Sequence, residues 1–502
     1  MNIAIGKFTL ESLTTGMYIN PMDVFREYIQ NSVDSFDEAY ETGLLRPGEE
    51  KILITINQAG RNISIDDNGV GLAVESAVAA LADIGNSRKR SELNRGFRGI
   101  GRLAGLSYAD RLVFTSSHFG EAKKTEISFD ALRLRDLLVP SHDQSIDITE
   151  LLNRVITTQV SPAPMDEHYF RVELSGVRTD SGLLASDDVY DFLAQSSPVS
   201  FNTQEFSWAK EITDKAKEKG HVFSHYNIWI QTSGSPRQVF KPYADKYLVD
   251  KSRRLKDAIT GVNVVPICST NGDLLAVVWY AEASYSGAIV ESRLRGLRFR
   301  KGNILVGDHQ TVSGAFKDPR FNGWVQGEIH ILSSRIIPNS RRDDFERNEE
   351  YVALHEKLSG LTAEITKQLR QASNERSQHA LDFRHAEETI QHLDAGLASG
   401  YISPSRRGAV TKKIKEVKNS LSYLTPDSEE ELERQYDIFH KLDIILGTVS
   451  GGTSYMALNL MSHLSQTEKK VLERVFRTIQ MEVDEETATR LGDAIVEAFR
   501  QH

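Results

Sequence analysis

Cysteine is almost missing: the 502-residue chain holds one, Cys268. A single cysteine excludes an intrachain disulfide, and such sparse use fits a reducing cytosol. Long apolar runs are missing too. No window approaches the roughly 18 uninterrupted apolar residues of a spanning helix. The opening "MNIAIGKFTLESL" has no basic stretch followed by a long apolar one, so no secretory leader is expected. Nor is there an excess of positive charge: 60 Lys and Arg stand against 70 Asp and Glu, a net charge of −10. That excludes nucleic-acid binding over the whole surface and leaves local basic patches open. Internal repeats, extended low-complexity tracts and a G-K-[ST] phosphate loop are all absent. What is present, 40% hydrophobic and 26% charged residues over a length that suits about three domains, is ordinary for a globular protein. The expectation is a soluble, cytoplasmic, multidomain chain.

The stretch "FREYIQNSVDS" (Phe25 to Ser35) carries Glu27, Asn31 and Asp34 at steps of four and three. On a helix that spacing stacks them on one face, with Phe25, Ile29, Val33 and Phe36 on a neighbouring apolar face. Taken alone, the polar stripe reads first as a solvated helix face. Two stretches downstream change that. "ISIDDNGVGL" reads as a strand ending in Asp67, then Gly69 and Gly71 in D-x-G-x-G register. Glycines there let the backbone turn sharply and approach a ligand, and a buried Asp67 can accept a hydrogen bond from an exocyclic amine such as adenine's. "GFRGIGRLAGL" places Gly96, Gly99 and Gly101 before an apolar run. Glycine-rich loops entering a helix expose backbone N–H groups to phosphate.

In this order and spacing the three motifs resemble the GHKL ATPase superfamily of gyrase B, the ninety-kilodalton heat-shock chaperone, sensor histidine kinases and MutL, with the MORC proteins as relatives. The resemblance implies an α+β fold whose N-terminal part is a GHKL (Bergerat) ATP-binding sandwich. It also implies ATP and Mg²⁺ as cofactors. Asn31 would hold the Mg²⁺ that bridges the phosphates, Glu27 would be the general base, and Asp34 a supporting residue. Asp67, Gly69 and Gly71 would form the adenine site, and Gly96, Phe97, Arg98, Gly99, Ile100 and Gly101 the phosphate loop. "DIGNSRKRSELNR" resembles an ATP lid, from which Asn86, Ser87 and Lys89 would reach the nucleotide. One feature departs from the family: the late strand "EHYFRVELSGV" lacks the frequent Gly-Thr pair, leaving Thr125 an outside candidate only.

Further along, "GLRFRKGNILVGD" and "IIPNSRRDDFE" resemble the transducer domain of the heat-shock-90-like and MORC-like members. There a basic residue reaches the γ-phosphate. Arg342 stands in that register, with Arg341 as the neighbouring alternative and a surface ion pair as the plain reading of "RRDD". From Glu349 on, Leu354, Leu358, Leu361, Ile365, Leu369 and Ala372 form one helical seam, and Leu432, Tyr436, Phe439, Leu442 and Ile445 a second. Ser465 to Glu468 reads as a capping box. The expected division is therefore 1–180 for ATP binding, 181–348 for an S5-like mixed α/β transducer, and 349–502 for a helical, coiled-coil-like region.

A histidine kinase is not expected, because about two dozen residues precede the polar helix. No toprim-like acidic motif follows the transducer. The expected activity is Mg-ATP hydrolysis in a dimeric clamp acting on a protein client. Two alternatives stand beside it. One is a MORC-like or MutL-like clamp on DNA, using the runs Arg293, Arg295, Arg298, Arg300, Lys301 and Arg406, Arg407, Lys412, Lys413, Lys415, Lys418. The other is a nucleotide-sensing subunit of a bacterial defence system.

Overall fold

The polar stretch lies in helix α1 (Asp23–Glu41) of the computed structural model, which describes residues 20–82, 101–139, 147–249, 255–398, 404–426, 429–450 and 464–500. Asp23 in the first turn suits the positive end of the helix dipole. Phe25, Ile29, Val33 and Phe36 are fully buried, as their spacing predicts, so the apolar face sets the roll of the helix.

Two units make up the chain, Met1–Leu369 and Arg370–His502. The first is α+β. Its larger sheet contains β1 (Ile52–Asn57), β2 (Asn62–Asp67), β3 (Arg111–Ser117), β4 (Lys123–Asp130), β5 (Ile156–Pro162), β6 (Tyr169–Ser175), β7 (Ile228–Gln231) and β8 (Arg237–Gln238). Their order is β5-β4-β3-β6-β2-β1-β7-β8. All these pairings are antiparallel except β1 with β7, which run parallel with Ile52 opposite Ile228. A boundary at 180 would therefore part β7 and β8 from the sheet they complete. Alternation along β2 buries Ile63, Ile65 and Asp67 on one face, so the carboxylate shares the core side with the two isoleucines.

The smaller sheet joins β9 (Lys246–Leu248), β10 (Lys256–Cys268), β11 (Leu274–Ala283), β12 (Gly296–Lys301), β13 (Ile304–Val306) and β14 (Gln326–Ile331) in the order β13-β12-β14-β11-β10-β9. Strand β12 is covered on both faces. Phe299 packs against Phe345, with ring centroids 5.4 Å apart, while Arg298 and Arg300 point the other way into a buried ionic cluster. At its centre Glu328 accepts from Lys241 Nζ (2.6 Å), Trp279 Nε1 (3.2 Å), the Tyr243 hydroxyl (3.2 Å) and Arg300 Nε, and contacts His330 Nε2 at 3.0 Å. Burial alone would push the Glu328 carboxyl up. Arg300, Lys241 and His330 outweigh it and hold the group well below its usual range.

Helices α2 (Val74–Ala82), α3 (Ala131–Leu138), α4 (Ile148–Val155), α5 (Ser186–Ser196) and α6 (Ala209–Glu218) follow α1 in the first unit. Helix α7 (Glu349–Ala398) opens the helical part of the chain, followed by α8 (Pro404–Ser422), α9 (Glu429–Ser450), α10 (Gln466–Glu482) and α11 (Glu485–Arg500). The seam predicted on α7 buries Leu354, Leu358, Ile365 and Leu369, with Thr362 and Thr366 buried beside them. On α9 the buried line runs through Gln435, Ile438, Leu442, Ile445 and Val449, leaving Leu432 and Tyr436 exposed. The predicted line was therefore offset at its N-terminal end. Ser465 and Glu468 form the expected capping box on α10. Among the described residues, no helix is long and apolar enough to cross a membrane.

Candidate active site

Glu27 and Asn31 sit one turn apart on α1 and are partly accessible, whereas Asp34 is buried. Two other segments converge on Glu27. The first is the short 3-10 stretch Gly101–Ser107. There the Tyr28 hydroxyl donates to Arg102 O at 3.0 Å and accepts from Gly105 N at 3.1 Å, pinning the stretch to α1. Gly101 lies so close to Glu27 that an added Cβ would overlap its carboxylate.

The second segment carries Arg342. Its Nε stands 3.4 Å from Glu27 Oε1, and both side chains are 13% exposed. The loop is tightly held: Gly307 N donates to Arg342 O at 2.7 Å, Arg342 N to Asn339 O at 3.1 Å, and Asn339 Nδ2 to Asp343 Oδ1 at 2.6 Å. Arg342 has a φ of 57°, which a non-glycine residue keeps only where its surroundings over-determine it. Arg26 ties the loop to α1, donating from Nη2 to Arg341 O at 3.2 Å and pairing through Nη1 with Asp23 at 3.2 Å. Thus Arg342 reaches the carboxylate, and Arg341 contributes its backbone oxygen. Burial pushes the Asp23 carboxyl up to about 6, against the opposing pull of Arg26.

Asp67 is held at the end of β2 by two donors, Ser32 Oγ at 2.6 Å and Gly69 N at 3.0 Å. Burial nevertheless raises its carboxyl to about 6. The turn after it leaves no room for larger residues. A Cβ on Gly69 would overlap Ser35 Oγ, and at Gly71, whose φ is 67°, a Cβ would overlap Ser117 O. Ser35 Oγ accepts from Val70 N at 3.0 Å, and Ser116 Oγ from Leu72 N at 2.6 Å. His168, just before β6, and His118, just after β3, also touch this turn.

The structure therefore gathers Glu27, Asn31, Asp34, Asp67, Gly69, Gly71, Gly101 and Arg342 around one helix and the turn beside it. Asn86, Ser87, Lys89, Gly96, Phe97, Arg98, Gly99 and Ile100 lie outside the described residues. Thr125 is buried in β4 opposite Ser116, three strands from Asp67 and so about 14 Å away. Sequence reasoning missed Arg26, Ser32, Ser35 and the two histidines. For the serines the available signal was two small hydroxyl residues, three apart, on a helix face that packs on the sheet. The histidines carry no local signal.

One expected partner surface needs correction. Arg298 and Arg300 are 2% and 1% exposed, because β12 lies inside its sheet with both faces covered. Arg300 neutralises Glu328 and Arg298 donates to Ser292 O at 2.6 Å, so neither is open to phosphate. Lys301 Nζ donates to Ser333 O, Arg295 bonds the His309 ring at 3.3 Å, and Arg293 pairs with Asp191 at 3.8 Å. In the second run Lys412, Lys413 and Lys415 are exposed, Arg407 is half-buried, and Lys418 pairs with Asp443 at 2.6 Å. The side chain of Arg406 lies outside the described residues.

The residues fit ATP and Mg²⁺ on chemical grounds. Among the described residues no group of three or more His, Cys, Asp or Glu could hold a metal ion. Mg²⁺ on substrate phosphates needs only one or two protein oxygens, and the Asn31 amide beside Glu27 would supply one.

The chain is 27% identical over 135 residues to "Chaperone protein HtpG" of Chromobacterium violaceum, covering 23% of this chain and 21% of that protein. It is 26% identical over 129 residues to "Chaperone protein HtpG" of Polaromonas naphthalenivorans, covering 22% and 20%. The match thus spans about a fifth of the length of these curated relatives. Residues 19–158 match the family "Histidine kinase-, DNA gyrase B-, and HSP90-like ATPase". That segment, with α1, the Asp67 turn and Gly101, is a GHKL-type ATPase domain.

Proposed function

We propose that the chain hydrolyses Mg-ATP and uses the reaction to close and reopen a dimeric clamp on a protein client. The observation that carries this reading is the Glu27–Arg342 pair, which joins a carboxylate of the ATPase segment to a loop more than three hundred residues on.

ATP supplies the phosphoanhydride to be cleaved, and Mg²⁺ neutralises phosphate charge. Asp67 accepts from the adenine amine, and Gly69 and Gly71 let the backbone come close. Asn31 offers its amide oxygen to the metal. Glu27 takes a proton from the attacking water, and Gly101, packed against it, restricts its carboxylate to one side. Arg342, permanently charged, is placed to grip the γ-phosphate. Because Arg342 faces Glu27, its move to phosphate would free the base at the moment substrate arrives. The smaller sheet, which carries this loop, would then be the transducer, and the helices from Glu349 on would supply a dimer or client surface.

A DNA clamp is the second reading, favoured only by the exposed Lys412, Lys413 and Lys415 on α8. Steady-state Mg-ATP turnover, with Glu27→Ala as control, tests both. Turnover lost in the variant and raised by an unfolded protein supports the client reading. Stimulation by duplex DNA that disappears with the three lysines changed to alanine moves the assignment to DNA. ATP binding without turnover in the wild type would overturn the hydrolase and leave a nucleotide sensor.

A further inference from the structure

We infer that His118 and His168 are positioning residues for nucleotide selectivity, acting as two clamps on the turn that aims Asp67. This deepens the proposed ATP site and rests on that reading.

His168 Nδ1 stands 2.9 Å from Gly69 O, and His118 Nδ1 stands 2.8 Å from Val70 O. A carbonyl oxygen only accepts, so each ring carries a proton on Nδ1 and donates. Consecutive carbonyls of one turn are thus held by rings from two strand ends: His118 follows β3 and His168 precedes β6. The N–H groups of the same turn are also taken, Gly69 N by Asp67 itself and Val70 N by Ser35. Phe119 meets the His168 ring edge-on, with centroids 6.2 Å apart.

The consequence concerns Asp67. Its Oδ1 is bound to the N–H of Gly69, and His168 holds the carbonyl on the other side of the same α-carbon, so the two peptide planes flanking Gly69 are fixed together with the carboxylate. Ser32 fixes the other oxygen from α1. Recognition of an adenine amine, as against the carbonyl that guanine presents at the same place, depends on where that carboxylate points. With both carbonyls held, the turn has one register for it. Neither ring need touch the nucleotide.

The test compares His168→Leu and His168→Asn, and the same pair at position 118, by calorimetric titration with ATP and GTP. An asparagine amide can stand in for an Nδ1–H donor; leucine cannot. Loss of one such bond should weaken ATP binding about tenfold and lower the preference for ATP over GTP. Turnover at saturating ATP should stay within about twofold of wild type, and asparagine should restore selectivity. Leucine variants that bind like wild type would overturn the inference. So would leucine and asparagine variants equally weakened with an unchanged ATP-to-GTP ratio, which is the signature of packing alone. If the wild-type chain binds neither nucleotide, the ATP site itself falls and the clamps with it. Binding by wild type that is lost in Asp67→Asn keeps the two failures apart.

Discussion

Ser32 donates a 2.6 Å hydrogen bond to Asp67, so the helix that carries Glu27 and Asn31 also holds the carboxylate proposed to read adenine. One rigid element thereby sets the distance between the reacting end of the site and its recognition end. A nucleotide bound at Asp67 would be registered against Glu27 without help from a loop.

Ser32→Ala removes that link. ATP affinity should fall about tenfold, the value of one hydrogen bond to a charged group, with turnover of bound ATP nearly unchanged. Because the Ser32 hydroxyl lowers the Asp67 carboxyl, the variant should also lose ATP binding at a higher pH than wild type does on acidification. Titration calorimetry between pH 5 and 8 would measure both. An unchanged pH midpoint would sever Ser32 from recognition.

Asp67→Asn should separate stability from binding. Burial raises the Asp67 carboxyl from 3.8 to about 6. Below the first value both folded and unfolded chains are protonated. Between the two the unfolded chain releases its proton first, so stability falls as pH rises, and above about 6 the full cost stands. At about 1.4 kcal/mol per pH unit, that cost is roughly 3 kcal/mol. Relative to wild type, the variant should therefore gain urea resistance at pH 8 and little at pH 4, while binding no ATP. An equal effect at both pH values would contradict the assignment.

Arg342→Ala should reduce turnover by roughly a thousandfold, the range of an arginine that stabilises a transferring phosphoryl group. Arg342→Lys should recover little, because a lysine lacks the planar fork. ATP binding should survive in both. Turnover within a few-fold of wild type in the alanine variant would return Arg342 to an ordinary ion pair.

Glu328→Leu should destabilise the chain severely. It would leave Lys241 and Arg300 buried without their counter-charge, and breaking a buried pair in this way costs about 3–5 kcal/mol. The urea midpoint of the unit that holds the smaller sheet is the readout. A loss under about 1 kcal/mol would mean that water reaches the cluster.

Much of the site was legible in local spacing. Phe25, Ile29, Val33 and Phe36 gave the roll of α1, and Asp67 with its two glycines gave a strand end and a turn. The Ser465 capping box could be read from four residues. What stayed hidden depends on pairings remote in sequence. The alternating arginines of "RLRGLRFRK" look like a solvent-facing strand edge, and it takes Glu328, about thirty residues on, to supply the counter-charge that makes the burial of Arg300 tolerable. On α9, a polar residue, Gln435, takes a buried place because its amide donates to Leu421 O at 2.7 Å, which hydrophobic pattern cannot reveal. His118 and His168 sit at strand ends whose proximity is created by the β3–β6 pairing alone.

The parallel pairing of β1 with β7 bears on how this protein can be cut. A fragment ending near residue 180 would keep every residue assigned to nucleotide except Arg342, yet it would strip β1 of its neighbour and open a row of unpaired peptide groups. Such bare edges recruit one another. The shortest piece of this chain that behaves as a monomer in the test tube should therefore extend past Gln238, where β8 closes the sheet.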